Sequence, residues 1–220
     1  MRSRNAQLVQ WSFLILLAPA IFYASGCAVL YQLAYGDGPR IEAKFNDLNG
    51  KRVAVVCMMN DSMYGGVGLT STQVASTVEY LLRQNVPDVD VVNQDEVSDW
   101  LDTNDWDESD FLEIGRGVDA DMLVAIDLDS FSLHESTTLF KGRAAATTKV
   151  YDIKRGGKEV FRTTDPEFSF PKSHPVHETA TSARAFERVF IQVLSEHLAK
   201  NFYDYNLQEE FARDAAAYVH

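Results

Sequence analysis

Residues 53–59 read Val53-Ala54-Val55-Val56-Cys57-Met58-Met59, and this stretch decides the fold. An apolar run without alternation is the pattern of a β-strand buried on both faces. Cys57 lies inside the run and reads as a small buried hydrophobe, not as a nucleophile. Upstream, Asp47-Leu48-Asn49-Gly50 is a turn that delivers the chain through Lys51-Arg52 into the strand. Downstream, Tyr64-Gly65-Gly66-Val67-Gly68 leads to a helix from Thr70 to Gln84. Val74, Val78, Leu81 and Leu82 share one face of that helix, and Thr70-x-x-Gln73 has the form of a capping box. Pro87 separates the helix from a second short strand at 89–92. Strand, helix, strand is the opening of an α/β unit.

Further along, 93–117 holds one or two short helices, with Val97, Trp100 and Leu101 on one apolar face and Phe111, Leu112 and Ile114 on another. Asp119-Ala120-Asp121 opens a third strand over 122–133. Its alternation slips at Ser130, since Phe131 and Leu133 take the opposite parity to Met122, Val124, Ile126 and Leu128, and this predicts a bulge. A long fourth strand, 139–152, sets Gly142, Ala144 and Ala146 inward and Lys141, Arg143 and Lys149 outward. Arg155-Gly156-Gly157-Lys158 is a hairpin turn, closed by a strand at 159–163. A Pro-marked loop, 164–177, precedes a long helix over 178–203, where Ala183, Phe186, Val189, Phe190, Val193, Leu194, His197 and Phe202 recur at helical spacing. A small helix is expected around Leu207, Phe211 and Ala215. The expected fold is therefore α/β: a single mixed sheet, strand-helix-strand and then an antiparallel meander, packed by the long C-terminal helix.

The N-terminus carries a different message. Arg2 and Arg4 precede the apolar stretch 11–27, WSFLILLAPAIFYASGC, which ends in Ala24-Ser25-Gly26 before Cys27. A cationic head, an apolar middle and a small-residue exit make a secretory signal peptide. The tetrapeptide ending at Cys27 resembles the lipobox of bacterial lipoproteins, in which the cysteine sulfur is acylated and becomes the new N-terminus. Two or more acyl chains make such an anchor stable. The other reading is an uncleaved membrane helix, because roughly 20 apolar residues suffice to span. Both place everything after Gly36 outside the cytoplasm, with Arg2 and Arg4 on the cytoplasmic side. Ala28 after the cysteine leans toward the outer membrane over the inner. The organisation expected is a signal peptide at 1–26, a lipidated tether at 27–50, an α/β envelope domain at 51–203 and a helical tail at 204–220.

The order of pieces from 50 to 203 resembles a group of bacterial envelope proteins: the curli-secretion lipoprotein CsgG, the penicillin-binding-protein activator LpoB and the N-terminal domain of TolB. The likeness is carried by 53–59, by Gly117-Val118-Asp119-Ala120-Asp121-Met122-Leu123-Val124, and by Phe140-Lys141-Gly142-Arg143 with Val150-Tyr151-Asp152. It implies a docking or assembly module without catalytic residues. A CsgG-like pore fits poorly, since Lys141, Arg143 and Lys149 share one strand face that lipid would not tolerate.

Charge narrows the partners. The chain has 20 basic and 32 acidic side chains, net −12, and without residues 1–26 the balance is 18 to 32, net −14. Such a domain holds neither nucleic acid nor an anionic lipid surface by general electrostatics. Between Arg83 and Arg116 there is no basic residue, and Asp99, Trp100, Asp102, Asp105 and Trp106 lie in that interval. A charge run is most simply a solvated face. Aromatics within an acidic rim also suit docking of an envelope protein with a basic surface. His174, His177 and Glu178 in one loop form a metal-like cluster, and they define a rival reading as a metal-assisted hydrolase. A solvated loop explains them more cheaply, because the spacing is not that of a helical zinc motif. Gly65-Gly66-Val67-Gly68 sits where phosphate loops sit but lacks their full fingerprint; it supports the further alternative of a small-ligand-binding lipoprotein. Asp127 and Asp129 share a strand face, where Lys141, Arg143 and Lys149 of a neighbouring strand balance them. No enzyme and no cofactor is implied, and the oligomeric state is not written in the sequence.

Overall fold

The computed structural model describes residues 40–59, 68–105, 111–172 and 174–206. The signal segment, Cys27, Gly65–67, Trp106, Ser173 and the tail helix fall outside them. The chain divides into two compact units: Glu42–Tyr205, and the pair of segments Met1–Ile41 and Asn206–His220. Of the second unit, the described residues are β1 (Arg40–Ile41) and Asn206, the last residue of β8 (Tyr205–Asn206).

The first unit runs β2 (Arg52–Met59), α1 (Leu69–Asn85), β3 (Asp90–Val91), α2 (Gln94–Thr103), α3 (Phe111–Gly117), β4 (Met122–Ser136), β5 (Leu139–Asp152), β6 (Lys158–Phe170), β7 (Val176–His177) and α4 (Ala183–Ala199). One open mixed sheet has the order β3-β2-β4-β5-β6, with β7 pairing β5. β2 is parallel to both β3 and β4, while β4, β5 and β6 form an antiparallel meander.

The apolar run does what its lack of alternation requires. Val53, Val55 and Cys57 face a core shared with α1 and α4, whose buried members include Val74, Val78, Leu82, Phe190, Leu194 and Leu198. Ala54, Val56 and Met58 face a second core with Val97, Phe111 and Ile114 of α2 and α3. Each fully buried Leu or Phe contributes about 1.5–3 kcal/mol of apolar transfer. The long C-terminal helix thus packs the sheet together with α1, and the short helices form a layer on the reverse face. That second layer was absent from the sequence reading, which gave the sheet one packing helix.

Several local readings need correction. The capping box at Thr70 and Gln73 does not form: α1 starts one residue earlier, and the Gly68 N–H donates to Ser71 Oγ at 3.3 Å. The last helix begins at Ala183, not 178, with the Ser182 hydroxyl accepting from the Ala185 N–H. Residues 178–182 are held back because the Glu178 N–H donates to the Thr138 carbonyl at the β4–β5 turn. β6 does not stop at Thr163; it runs through Pro166 to Phe170. Ala146 pairs with Asp165 and Ala144 with Phe168, so Pro166 and Glu167 together oppose one residue of β5. A bulge on an edge strand is where a proline is tolerated. Val160 is a second bulge on the same edge, between the Val150–Phe161 and Tyr151–Glu159 pairs. Two bulges and a proline break up this long sheet edge, a device that discourages strand-on-strand aggregation.

The bulge expected at Ser130 is present: the register shifts between Leu128 and Ser130, and Phe131 then pairs with Ala144 on the inner face. β5 alternates buried and half-buried along its whole length, with Gly142, Ala144 and Ala146 inward. Beyond the reach of α2 and α3 the outer face of the meander is solvated, as antiparallel sheets allow.

Candidate functional site

The acidic interval folds into α2 and the stretch leading from it. Asn93 caps α2, its side chain accepting the Asp95 N–H at 2.8 Å. Glu79 of α1 reaches over to accept the Gln94 N–H at 2.9 Å and also pairs with Arg83 at 2.6 Å. Two such capping contacts, each worth about 1 kcal/mol, fix the start of α2 against α1. Glu96 turns back to Arg52, which also binds Asp90 at 3.1 Å. These acids raise the Arg52 guanidinium further above its ordinary range, the Asp90 hydrogen bond first. Asp99, Asp102 and Asp105 remain exposed, and among the described residues none of them has an ion pair. Trp100, the aromatic expected in their midst, is half-buried and packs against the reverse-face core. It lies so close over Gly117 that a Cβ there would come within 2.0 Å of the indole nitrogen. Its ring therefore braces α2 on α3, and the acids form the surface outside it.

The histidine loop is spread out. His177 stands on β7 opposite Leu139, exposed, with its Nδ1 3.0 Å from Thr179 Oγ1. His174 and Glu178 are exposed as well, and among the described residues no group of three His, Cys, Asp or Glu side chains converges on a metal position. Asp127 binds Lys149 Nζ at 2.7 Å across the β4–β5 ladder, and Asp129 accepts from Thr147 Oγ1 at 3.4 Å. Cys57 is 2% exposed, and burial pushes its thiol far above the ordinary range. Among the described residues no helix is long and apolar enough to cross a membrane.

Gly68 lines a cavity of about 530 Å³ at the carboxyl end of β2. Met59, Leu69, Thr70, Ser71 and Glu187 also line it, together with the four consecutive residues Phe131, Ser132, Leu133 and His134. Sequence reasoning reached Gly68 through its glycines but missed the rest, since Met59, Phe131 and Glu187 meet only through the fold.

No family model and no curated protein matches the chain. Among solved structures it is similar to the PelC dodecamer from Paraburkholderia phytofirmans, 12% identical over 74% of this chain and 96% of that one, TM-score 0.42. It is similar to lipoprotein GNA1162 from Neisseria meningitidis, 10% identical over 67% of this chain and 97% of that one, TM-score 0.41. A minor lipoprotein from Acinetobacter baumannii is 12% identical over 70% of this chain and 92% of that one, TM-score 0.37.

Proposed function

We propose that this protein is a lipid-anchored, non-catalytic interaction module of the bacterial cell envelope, exported, held to the membrane through Cys27 and docking a partner with a basic surface. In this reading its domain is of the CsgG, LpoB and TolB kind, and the outer membrane is its site. The observation that carries the docking part is the exposed acids Asp99 and Asp102 on a helix fixed at its start by Asn93 and Glu79, with Asp105 just past its end; none of the three has an ion pair among the described residues. Charge of one sign on a rigid element steers an oppositely charged partner and sets its orientation. The anchor part rests on Ala24-Ser25-Gly26-Cys27.

The test is crosslinking of the full-length protein in its native envelope, beside Cys27→Ser and a triple Asp99→Lys, Asp102→Lys, Asp105→Lys variant. A defined wall or secretion protein, lost from the triple variant at unchanged thermal stability and weakened in Cys27→Ser, is the expected result. Undiminished capture by the triple variant removes the acidic surface from the account. Recovery of the protein alone removes the assembly role.

A further inference from the structure

The turn that feeds β2 holds a reactive pair. Asn49-Gly50 is the one Asn-Gly dipeptide in the chain. It lies in the turn 48–51, where the Lys51 N–H donates to the Leu48 carbonyl at 3.1 Å. Gly50 sits at φ +65°, in the left-handed region that glycine enters without steric cost. Leu48 is 0% exposed and pins one end of the turn in the core. At the other end the Lys51 carbonyl accepts the Asp90 N–H at 2.9 Å. Between these fixed ends Asn49 and Gly50 are both exposed, and a Cβ built on Gly50 would meet nothing within 4 Å.

We infer that Asn49 is a self-modification site, where the folded chain converts its own side-chain amide to a carboxylate through a cyclic imide. The Gly50 amide gives its proton to hydroxide, and its nitrogen attacks Asn49 Cγ. The new N–Cγ bond closes a five-membered ring, the Cγ–Nδ2 bond breaks, and Nδ2 leaves as ammonia after taking a proton from water. Water then adds to one of the two imide carbonyls and opens the ring, leaving Asp or its β-linked isomer at 49. One water is consumed, one ammonia is released, and nothing is oxidised or reduced. Nucleophile and carbonyl are held in one dipeptide, which replaces a bimolecular encounter. Glycine has no Cβ to block the approach. The surroundings favour the developing anion. Asn49 lines a polar cleft of about 380 Å³ together with Lys51, Lys154 and Arg155. Of the acids there, Asp121 and Asp152 already accept the backbone N–H groups of Arg52 and Arg155, each at 2.9 Å, and Asp47 is exposed. Cations beside a forming negative charge lower its cost. The consequence is local. A β-linkage inserts a backbone carbon into a turn fixed at both ends, so the displacement falls on Lys51 and its bond from Asp90. β2 and β3 share only the pairs Arg52–Asp90 and Val53–Val91, so that edge has little else to hold it. The inference does not rest on the acids of α2.

Peptide mass spectrometry of the full-length chain, held at pH 8 and sampled over weeks, tests the inference. Trypsin releases Phe45–Lys51 as one peptide, which also contains Asn46 as an internal control. Fragmentation assigns any gain of one mass unit to its residue. Asn49 should gain it at least about tenfold faster than Asn46, whose following residue, Asp47, carries a Cβ. Local opening of an exposed turn costs next to nothing, so the native rate should lie within about threefold of the rate in denaturant. Chromatography should resolve two products, Asp and its β-linked isomer. Asn49→Gln, an exposed position whose side chain must close a larger ring, should keep the mass of the peptide and the fold. Hydrogen exchange should then find the Asp90 amide less protected in the aged protein than in equally aged Asn49→Gln, with α4 amides alike in both. A native chain that stays unmodified while the denatured chain reacts overturns the proposal, because the fold then shields the turn. So do equal rates at Asn46 and Asn49, or a gain undiminished in Asn49→Gln. Unchanged Asp90 protection in a converted sample overturns the consequence drawn for β3.

Discussion

Gly142→Ala is the sharpest test of how the meander and the C-terminal helix fit together. Gly142 faces inward on β5, and a Cβ built there would stand 2.2, 2.4 and 2.5 Å from three ring atoms of Phe190. Carbon contacts are optimal at roughly 3.5–4.0 Å, so the ring must retreat by about 1 Å or more. Phe190 is 0% exposed, and its ring is flanked by Phe131 at 5.2 Å and Phe168 at 6.2 Å between centroids, which leaves it little room to retreat. Overpacking of this kind costs about 1–3 kcal/mol, and a rigid ring between two others belongs at the upper end. Loss of glycine's freedom in the unfolded chain returns about 0.4–1 kcal/mol. The net expectation is a loss of about 2 kcal/mol, or roughly 4–8 °C in Tm for a domain of this size. Urea unfolding of Gly142→Ala, Phe190→Leu and the double variant separates the clash from a general strand effect. Leucine makes room, so the double variant should be more stable than the sum of the single losses predicts by at least about 1 kcal/mol. Additivity within about 0.5 kcal/mol refutes the reasoning.

Three further outcomes follow from the same structure. Gly117→Ala should eject the Trp100 indole, whose nitrogen a new Cβ would meet at 2.0 Å, and red-shift tryptophan emission in a Trp106→Phe background; an unmoved spectrum means the ring is not seated there. The buried Cys57 thiol should resist a thiol reagent in the folded protein and react at once in denaturant, and stoichiometric labelling of the native chain would contradict its burial. Acid should destabilise the fold in a defined way. Lys154 holds the Asp119 carboxyl below its usual range and Arg162 does the same to Glu159, the side-chain hydrogen bond leading in both. Both groups are depressed in the fold, so the unfolded chain takes up protons first: their contribution is present above the ordinary carboxylate values and drains as pH falls through about 4.5 and below. Tm measured from pH 6 to pH 3 should fall less steeply in a Lys154→Met, Arg162→Met double variant, and less steeply in high salt, because these pairs are exposed and screened. An identical slope in the variant sinks the assignment.

Where one strand's own chemistry decided the outcome, the sequence was sufficient. The unbroken run 53–59 needs two buried faces whatever surrounds it, and it has them. The parity slip at Ser130 is a local fact with a local consequence, and the bounds of β5 follow from a period of two sustained over fourteen residues. The failures share a cause as well. Pro166 reads as a loop residue until β6 is known to be an edge strand, and the cap of α1 falls on Gly68, whose N–H donates to Ser71, not on Thr70. Trp100 reads both as part of the apolar face with Val97 and Leu101 and as an aromatic among the acids, and its place over Gly117 settles it as packing. The acid row was legible because net charge needs no partner to be counted. The cavity was not, because Met59, Phe131 and Glu187 meet only through the fold.

The two halves of the sheet are covered differently. In the parallel half, β2 is apolar on both faces and helices cover both sides among the described residues, so its surfaces are spent on stability. The antiparallel half needs only its inner face for the core, and its outer face carries the paired charges Asp127–Lys149, Glu135–Arg143 and Glu159–Arg162. Ion pairs closed within one face leave little net charge to attract anything, and the bulged edge at β6 resists strand addition. In the proposed reading, recognition falls to the acids Asp99 and Asp102 on α2 and Asp105 after it, which have no ion pair among the described residues. Asp99→Lys should therefore weaken what the protein holds while leaving its unfolding free energy within about 0.5 kcal/mol, because the acid is exposed. Leu133→Glu, at a half-buried position packed against the inner core, should cost more, and comparing the two separates surface from packing.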